Sequence, residues 1–205
     1  MVEPLGSSWA ASGNVLVNYQ WARELPVSGS FCMNFGHPEI DADMISSIFV
    51  YGTLKRGQCR GAMWPVQPMG VFPVFTHGTL FDRHDYPAMT SGTDCVAGER
   101  WDFHPDQMPR VLEVLDAIEG ANQPGFPDLY RRVVVATWRL SEGTGLSGDP
   151  VRRLDAGTST IAYTYHYARE PSDDGFTRVW VDQDAEDPAK QCVCWPTLSN
   201  RWLSN

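Results

Sequence analysis

The chain has 205 residues, 42% hydrophobic and 20% charged, the composition of an ordinary globular protein with room for a sizeable core. Its formal net charge of −9 argues against broad nucleic-acid binding, because phosphate backbones need a basic face. No apolar run is long enough to cross a bilayer, and residues 1–17 lack the charged and apolar blocks of a secretory signal.

Residues 1–43 mix Gly, Ser, Pro and scattered aromatics with no sustained period, and are expected to form an irregular N-terminal extension. The functional domain is expected to begin near Met44 and run to residue 170, with the preceding segment dispensable and Met44 itself a candidate translation start. Ile48-Phe49-Val50-Tyr51 is a short apolar run that stops at Gly52, the pattern of a buried strand entering a turn. Residues 71–80 and 95–103 are further strand candidates. Tyr86-Pro87 favours extended or turn backbone between them, and Ser91-Gly92-Thr93-Asp94 reads as turn residues before the second strand.

The clearest helix spans residues 106–119, with Asp106 as its expected N-cap and Pro109 in the first turn. Met108, Val111, Leu112, Leu115 and Ile118 recur at helical spacing, and Gly120 suits the left-handed position that ends a helix. Residues 130–140 read as a strand and residues 141–150 as a Gly-rich turn. In residues 161–167, Tyr163, Tyr165 and Tyr167 share one face of a strand, more suited to a core or a sheet surface than to a ligand platform. Residues 171–205 are expected to be an irregular tail, first acidic (Asp182 to Asp187) and then Trp-containing. Several strands, one strong helix and no regular βαβ alternation favour an α+β fold.

Glu119 stands out as a candidate catalytic residue. Leu112, Leu115 and Glu119 follow the spacing of one apolar helix face, so the carboxylate is expected at the core margin in the last helical turn. Burial and the negative end of the helix dipole both disfavour its anion there. The raised pKa that follows is what a general acid–base needs. The ordinary alternative is a Glu exposed before its capping Gly or paired with a nearby Arg. Asp116 competes one turn earlier, but it projects toward the polar flank and is expected to be structural or orienting.

Tyr51-Gly52-Thr53-Leu54-Lys55-Arg56-Gly57 is the second feature, a strand running into a turn with glycines on both sides. Such a turn aims successive N–H groups at an anion or oxyanion. Gly52 is expected to supply unusual backbone angles or close substrate approach, and Lys55 to occupy the solvated tip. The alternative is a plain hairpin turn with a basic tip, and the order of a Walker loop is missing. Cys192-Val193-Cys194 lacks a second ligand pair for zinc, and His37, His77, His84, His104 and His166 are scattered. The five cysteines (Cys32, Cys59, Cys95, Cys192, Cys194) are odd in number without framework spacing, so reduced thiols and a cytoplasmic location are expected.

Three segments together resemble one family. Phe49 to Gly57 resembles the opening strand and loop of the γ-glutamylcyclotransferase-like proteins, particularly the γ-glutamylamine cyclotransferase and avirulence-induced branch. Tyr86-Pro87-Ala88-Met89 resembles that branch's Tyr-Pro segment. Leu115-Asp116-Ala117-Ile118-Glu119-Gly120, followed by Tyr130-Arg131-Arg132-Val133, resembles its helix end and next strand. The likeness spans residues 45–167. The glutathione-specific branch, with a different loop, fits less well, and residues 121–129 form an insertion-like stretch expected to shape the pocket rim.

The resemblance implies a mixed β-barrel with flanking helices and a cavity at one end. It implies that Tyr51, Gly52, Thr53, Leu54 and Tyr86 bind substrate and that Glu119 is catalytic. It further implies cyclisation of a γ-glutamyl amine or amino acid to 5-oxoproline, with no cofactor and no nucleic-acid or membrane partner. The turn's N–H groups would meet either the developing oxyanion or the substrate α-carboxylate. A non-catalytic binding protein on the same fold and another acyl-transfer or hydrolytic enzyme remain alternatives. The sequence is silent on the leaving amine and the oligomeric state.

Overall fold

The structure, a computed structural model, describes residues 45–144, 150–154, 157–180 and 192–196. The expected extension 1–43 and the acidic run from Asp182 to Asp187 lie outside the described residues. Eight strands and one α-helix follow in chain order: β1 (Ser47–Val50), β2 (Gly70–Asp82), β3 (Pro87–Asp102), α1 (Met108–Glu119), β4 (Tyr130–Thr144), β5 (Pro150–Leu154), β6 (Thr160–Tyr167), β7 (Thr177–Arg178) and β8 (Cys192–Val193).

Strand order runs β5-β4-β6-β1-β3-β2-β7, and a further β4–β2 pairing at Val74↔Arg139 and Phe75↔Trp138 closes five strands into a barrel. Four of the five barrel contacts are antiparallel, and β1 lies parallel to β6 with Ile48 opposite Tyr163. All four residues of β1 are buried, which is why it reads as a continuous apolar run rather than an alternating one. The two faces nevertheless differ. Ile48 and Val50 join the core that includes Met108, Val111 and Leu115 of α1, whereas Phe49 packs with Val74, Leu80, Met89 and Val96 in the core made by the strands. Tyr163, Tyr165 and Tyr167 are all buried on the helix side, the core role expected for that stripe. The α+β barrel matches the expected architecture, with one α-helix and two short 3-10 turns (Pro105–Gln107 and Pro171–Asp174) among the described residues in place of several helices.

Other details depart from the sequence reading. Residues 91–94 are strand, not turn: β3 pairs with β2 through a register shift at Gly78/Thr79, and the extra length is absorbed there rather than in a loop. Asp106 does not cap α1. The 3-10 turn precedes the helix, His104 caps that turn, and Gln107 at the N-cap of α1 makes no side-chain capping bond. Gly120 ends the helix in the left-handed region as expected, at φ 59 and ψ 39. Residues 141–144 and Pro150 are strand rather than turn, because β4 and β5 pair from Leu140↔Leu154 through Thr144↔Pro150.

The C-terminal stretch is not wholly an irregular tail. Strand β7 pairs with β2, and β8 runs parallel to β3 with Cys95 opposite Cys192. These two cysteines, 97 residues apart in sequence and 4.5 Å apart between Cα atoms, are disulfide-bonded. The expectation of uniformly reduced thiols is thereby corrected: strand pairing juxtaposes two cysteines whose spacing carries no local signal. The thiol argument for a cytoplasmic location falls with it. No helix among the described residues is long and apolar enough to cross a membrane.

Candidate active site

One end of the barrel holds a cavity of about 270 Å³. Its size lies near the lower end of the roughly 300–1,000 Å³ usual for small-molecule sites. Five segments converge on it. The exit of β1 contributes Tyr51, Gly52, Thr53 and Leu54, and the β2–β3 turn contributes Tyr86 and Pro87. The end of α1 brings Ile118 and Glu119, the next loop and the start of β4 bring Leu129 and Tyr130, and β6 brings Thr164 and Tyr165. All six residues singled out from sequence therefore line one cavity, although Tyr51 and Glu119 are far apart along the chain.

The loop after β1 is held by its own carbonyl groups. Lys55 N donates to Gly52 O at 3.2 Å, Arg60 N to Thr53 O at 3.0 Å, and the Trp64 indole to Leu54 O at 3.2 Å. Trp64 in turn stacks on Trp101, ring centroids 4.4 Å apart, which ties the loop to β3. Gly52 is required for space, not for unusual angles. Its φ is not positive, and a Cβ there would lie 2.7 Å from Cγ of the Pro87 ring. Nor is Lys55 at a solvated tip. It is half-buried, and its Nζ donates to the carbonyl of Trp195, while Arg56 and Gly57 take the exposed position.

Two tyrosines brace the walls. Tyr51 Oη donates to Tyr165 O at 2.8 Å, and Tyr130 Oη donates to Pro87 O at 2.9 Å. Burial pushes both phenols well above their ordinary range, and the charge on Glu119 adds to the rise, so both stay protonated. Tyr86 is held at the rim between the Arg83 guanidinium, 4.4 Å from its centroid, and the Phe176 ring.

The helix end carries two carboxylates with opposite surroundings. Asp116 accepts from Arg132 Nη1 at 2.9 Å, from Tyr165 Oη at 2.6 Å and from Asn122 Nδ2 at 3.0 Å. It is thus an ion-paired strut between α1, β4 and β6. Glu119 makes no hydrogen bond or ion pair among the described residues. Burial raises its pKa to about 7, and the positive charge of Arg60 holds it from rising further. A carboxyl that exchanges its proton near neutrality, on the wall of a partly dry cavity, has the properties of a general acid–base.

Sequence reasoning missed Arg60 and Thr164. Arg60 follows the recognised loop in a segment without periodicity, and backbone bonds from Arg60 N to Thr53 O and from Met63 N to Arg60 O hold it beside the cavity. Thr164 Oγ1 is buried on the cavity wall without a partner among the described residues. Its position between Tyr163 and Tyr165 on an alternating strand was the available signal. Of the insertion-like stretch 121–129, Leu129 reaches the cavity and hydrogen-bonds back to Gly120 O.

The family model described as "Gamma-glutamyl cyclotransferase, AIG2-like" matches residues 48–181. The chain belongs to this family. As a member of the AIG2-like cyclotransferases it is an enzyme with γ-glutamylcyclotransferase-type activity, and the match continues past the expected boundary at residue 170 to include β7. The gamma-glutamylaminecyclotransferase of Rattus norvegicus is 30% identical over 132 residues, which cover 58% of this chain and 81% of the rat protein. An AIG2-like protein of Mus musculus of known structure is 21% identical, with a TM-score of 0.39 over 66% of this chain and 86% of the mouse chain. YkqA of Bacillus subtilis is 19% identical, with a TM-score of 0.40 over 66% of this chain and 38% of its own. The fold assignment rests on this chain's own strand pairing and on the family match.

Proposed function

We propose that this cyclotransferase converts a γ-glutamyl amine or γ-glutamyl amino acid to 5-oxoproline and the free amine, with Glu119 as its acid–base residue. The observation that carries the reading is Glu119 itself, a desolvated carboxyl facing the loop after β1 across one small cavity. The substrate supplies its own nucleophile. Its α-amine attacks the γ-carbonyl carbon, a five-membered lactam closes, and the bond to the leaving nitrogen breaks. Intramolecular geometry supplies much of the rate advantage, so the step requires no cofactor.

The protons balance through one carboxylate. Two protons leave the α-ammonium and two arrive on the departing nitrogen, and Glu119 carries them in turn and ends unchanged. Because the carbonyl groups of Gly52, Thr53 and Leu54 are used in holding the loop, its N–H side is what the loop offers to the oxyanion. Pro87, packed against Gly52, and Tyr130 extend the wall beside the loop, and Thr164 Oγ1 adds a hydroxyl without a partner among the described residues. The rat relative's name specifies a γ-glutamyl amine, and a cavity of about 270 Å³ suits a small γ-glutamyl head.

The test is a panel of γ-glutamyl amines, amino acids and peptides assayed for 5-oxoproline, free glutamate and simple binding. Release of 5-oxoproline with the amine in equal amounts is the expected result. Free glutamate would replace the reading with a hydrolase, and binding without turnover would replace it with a ligand-binding role.

A further inference from the structure

We propose that Arg60 is the specificity residue for the α-carboxylate of the substrate's γ-glutamyl head, acting with Glu119 as the second pole of an amino-acid clamp. The proposal rests on the cyclotransferase reading above for the identity of the head group.

Among the residues that line the cavity, Arg60 and Glu119 are the two that carry charge. The guanidinium differs from most others in the described chain. Arg56, Arg83, Arg100, Arg110, Arg132, Arg169 and Arg178 each pair with a carboxylate. Arg139 lies over the Phe72 ring. Arg60 is half-buried and has no such partner among the described residues. It feels Glu119 electrostatically without reaching ion-pair contact, so space remains between the two poles.

The residue is also well placed. Its N–H donates to Thr53 O at 3.0 Å, and its carbonyl accepts from Met63 N at 3.0 Å, which fixes the base of the side chain to the loop after β1. A partly desolvated guanidinium without a counter-charge favours an anionic ligand, and its planar fork matches a carboxylate in two parallel bonds. A γ-glutamyl head presents its α-carboxylate and α-amine on one carbon. With Glu119 on the amine, Arg60 is the cationic group that the cavity lining leaves for the carboxylate. The loop N–H groups are then released from the carboxylate and remain for the γ-carbonyl oxygen. The two roles that the sequence left to one turn are thereby divided between the turn and Arg60.

The experiment compares two ligands that differ by that one group: 5-oxoproline, and 2-pyrrolidinone, the same lactam without its carboxylate. Binding to the full chain is measured by calorimetry, with turnover of a γ-glutamyl amine followed separately. The wild type is expected to bind 5-oxoproline about 10- to 100-fold more tightly than 2-pyrrolidinone, the worth of hydrogen bonds to a charged group. Arg60→Gln is expected to abolish that preference with little change in 2-pyrrolidinone binding, and Arg60→Lys to restore part of it. A preference that survives in a folded Arg60→Gln protein overturns the proposal. So does a wild type that binds the two lactams equally, or binds neither, a result that needs no variant to fold. If the preference depends on Arg60 but no γ-glutamyl compound yields 5-oxoproline, the clamp stands and the cyclisation reading fails.

Discussion

The two sides of the end of α1 place the same chemical group in opposite surroundings. On the flank toward β4 and β6, Asp116 is held by Arg132, Tyr165 and Asn122, and every partner stabilises its charge. On the cavity side, three residues later, Glu119 is half-buried without a partner among the described residues, and burial lifts its pKa to about 7. A paired carboxylate is a fixed charge and serves as structure. An unpaired, partly buried one changes its protonation near neutrality, the property that the proposed acid–base role requires. Helix geometry creates the difference, since residues three apart share an edge of the helix but their side chains reach different neighbours.

The strongest way to break the comparison is to neutralise each group in turn. Glu119→Gln is expected to lower kcat by about 10²–10⁴, the usual worth of a general acid–base, with the melting transition preserved. Asp116→Asn is expected to do the reverse. Activity falls less, while chemical denaturation shows a loss of about 2–4 kcal/mol, because Arg132 is left without its counter-charge. Near-normal turnover by folded Glu119→Gln, or a larger activity loss in Asp116→Asn, would show that the two roles had been exchanged.

Gly52→Val sharpens the cavity side. The close approach of the Pro87 ring leaves no room for a side chain, so a stability loss of about 1–3 kcal/mol and a clear fall in activity are expected. Lys55→Ala, which removes the contact to the Trp195 carbonyl, is expected to cost less on both measures. Wild-type activity in Gly52→Val would remove the loop from the site.

The pH dependence separates the sides further. The Glu119 carboxylate must form before it can take a proton, so kcat/KM is expected to rise through a limb near pH 7. Removing the Arg60 charge disfavours the carboxylate, so Arg60→Gln is expected to move that limb to higher pH. Stability runs the opposite way. The folded chain keeps the proton on Glu119 above the ordinary 4.5 of a glutamate, so this contribution is present at low pH and is lost as pH rises through about 7. Glu119→Gln should flatten that loss, whereas a pH-independent difference between the two proteins would refute the assignment.

The smallest effect is expected away from both sides. The family match begins at residue 48 and the first described strand at Ser47, so a chain shortened to start at Met44 is expected to keep activity and melting temperature. A large loss of either would make residues 1–43 part of the working structure.

What the sequence determined by itself was local. A continuous apolar run marked β1, periodicity marked α1 and β6, and Gly120 marked the helix end, because each depends on neighbours within a few residues. Glu119 was legible for the same reason, since its distance from Leu112 and Leu115 along a helix predicts which way it faces. The long-range pairings carried no comparable signal. Cys95 meets Cys192 only because β8 is laid along β3, and Lys55 meets Trp195 across 140 residues. Closure of the barrel by the β2–β4 contact likewise joins segments separated by the helix. Arg60 is the sharpest case. Nothing around it in sequence suggests a site, and one backbone bond to Thr53 together with the convergence of five segments turns it into a wall of the cavity. Local periodicity records which face of an element is apolar, whereas the identity of the element that covers that face is decided by the packing of the whole chain.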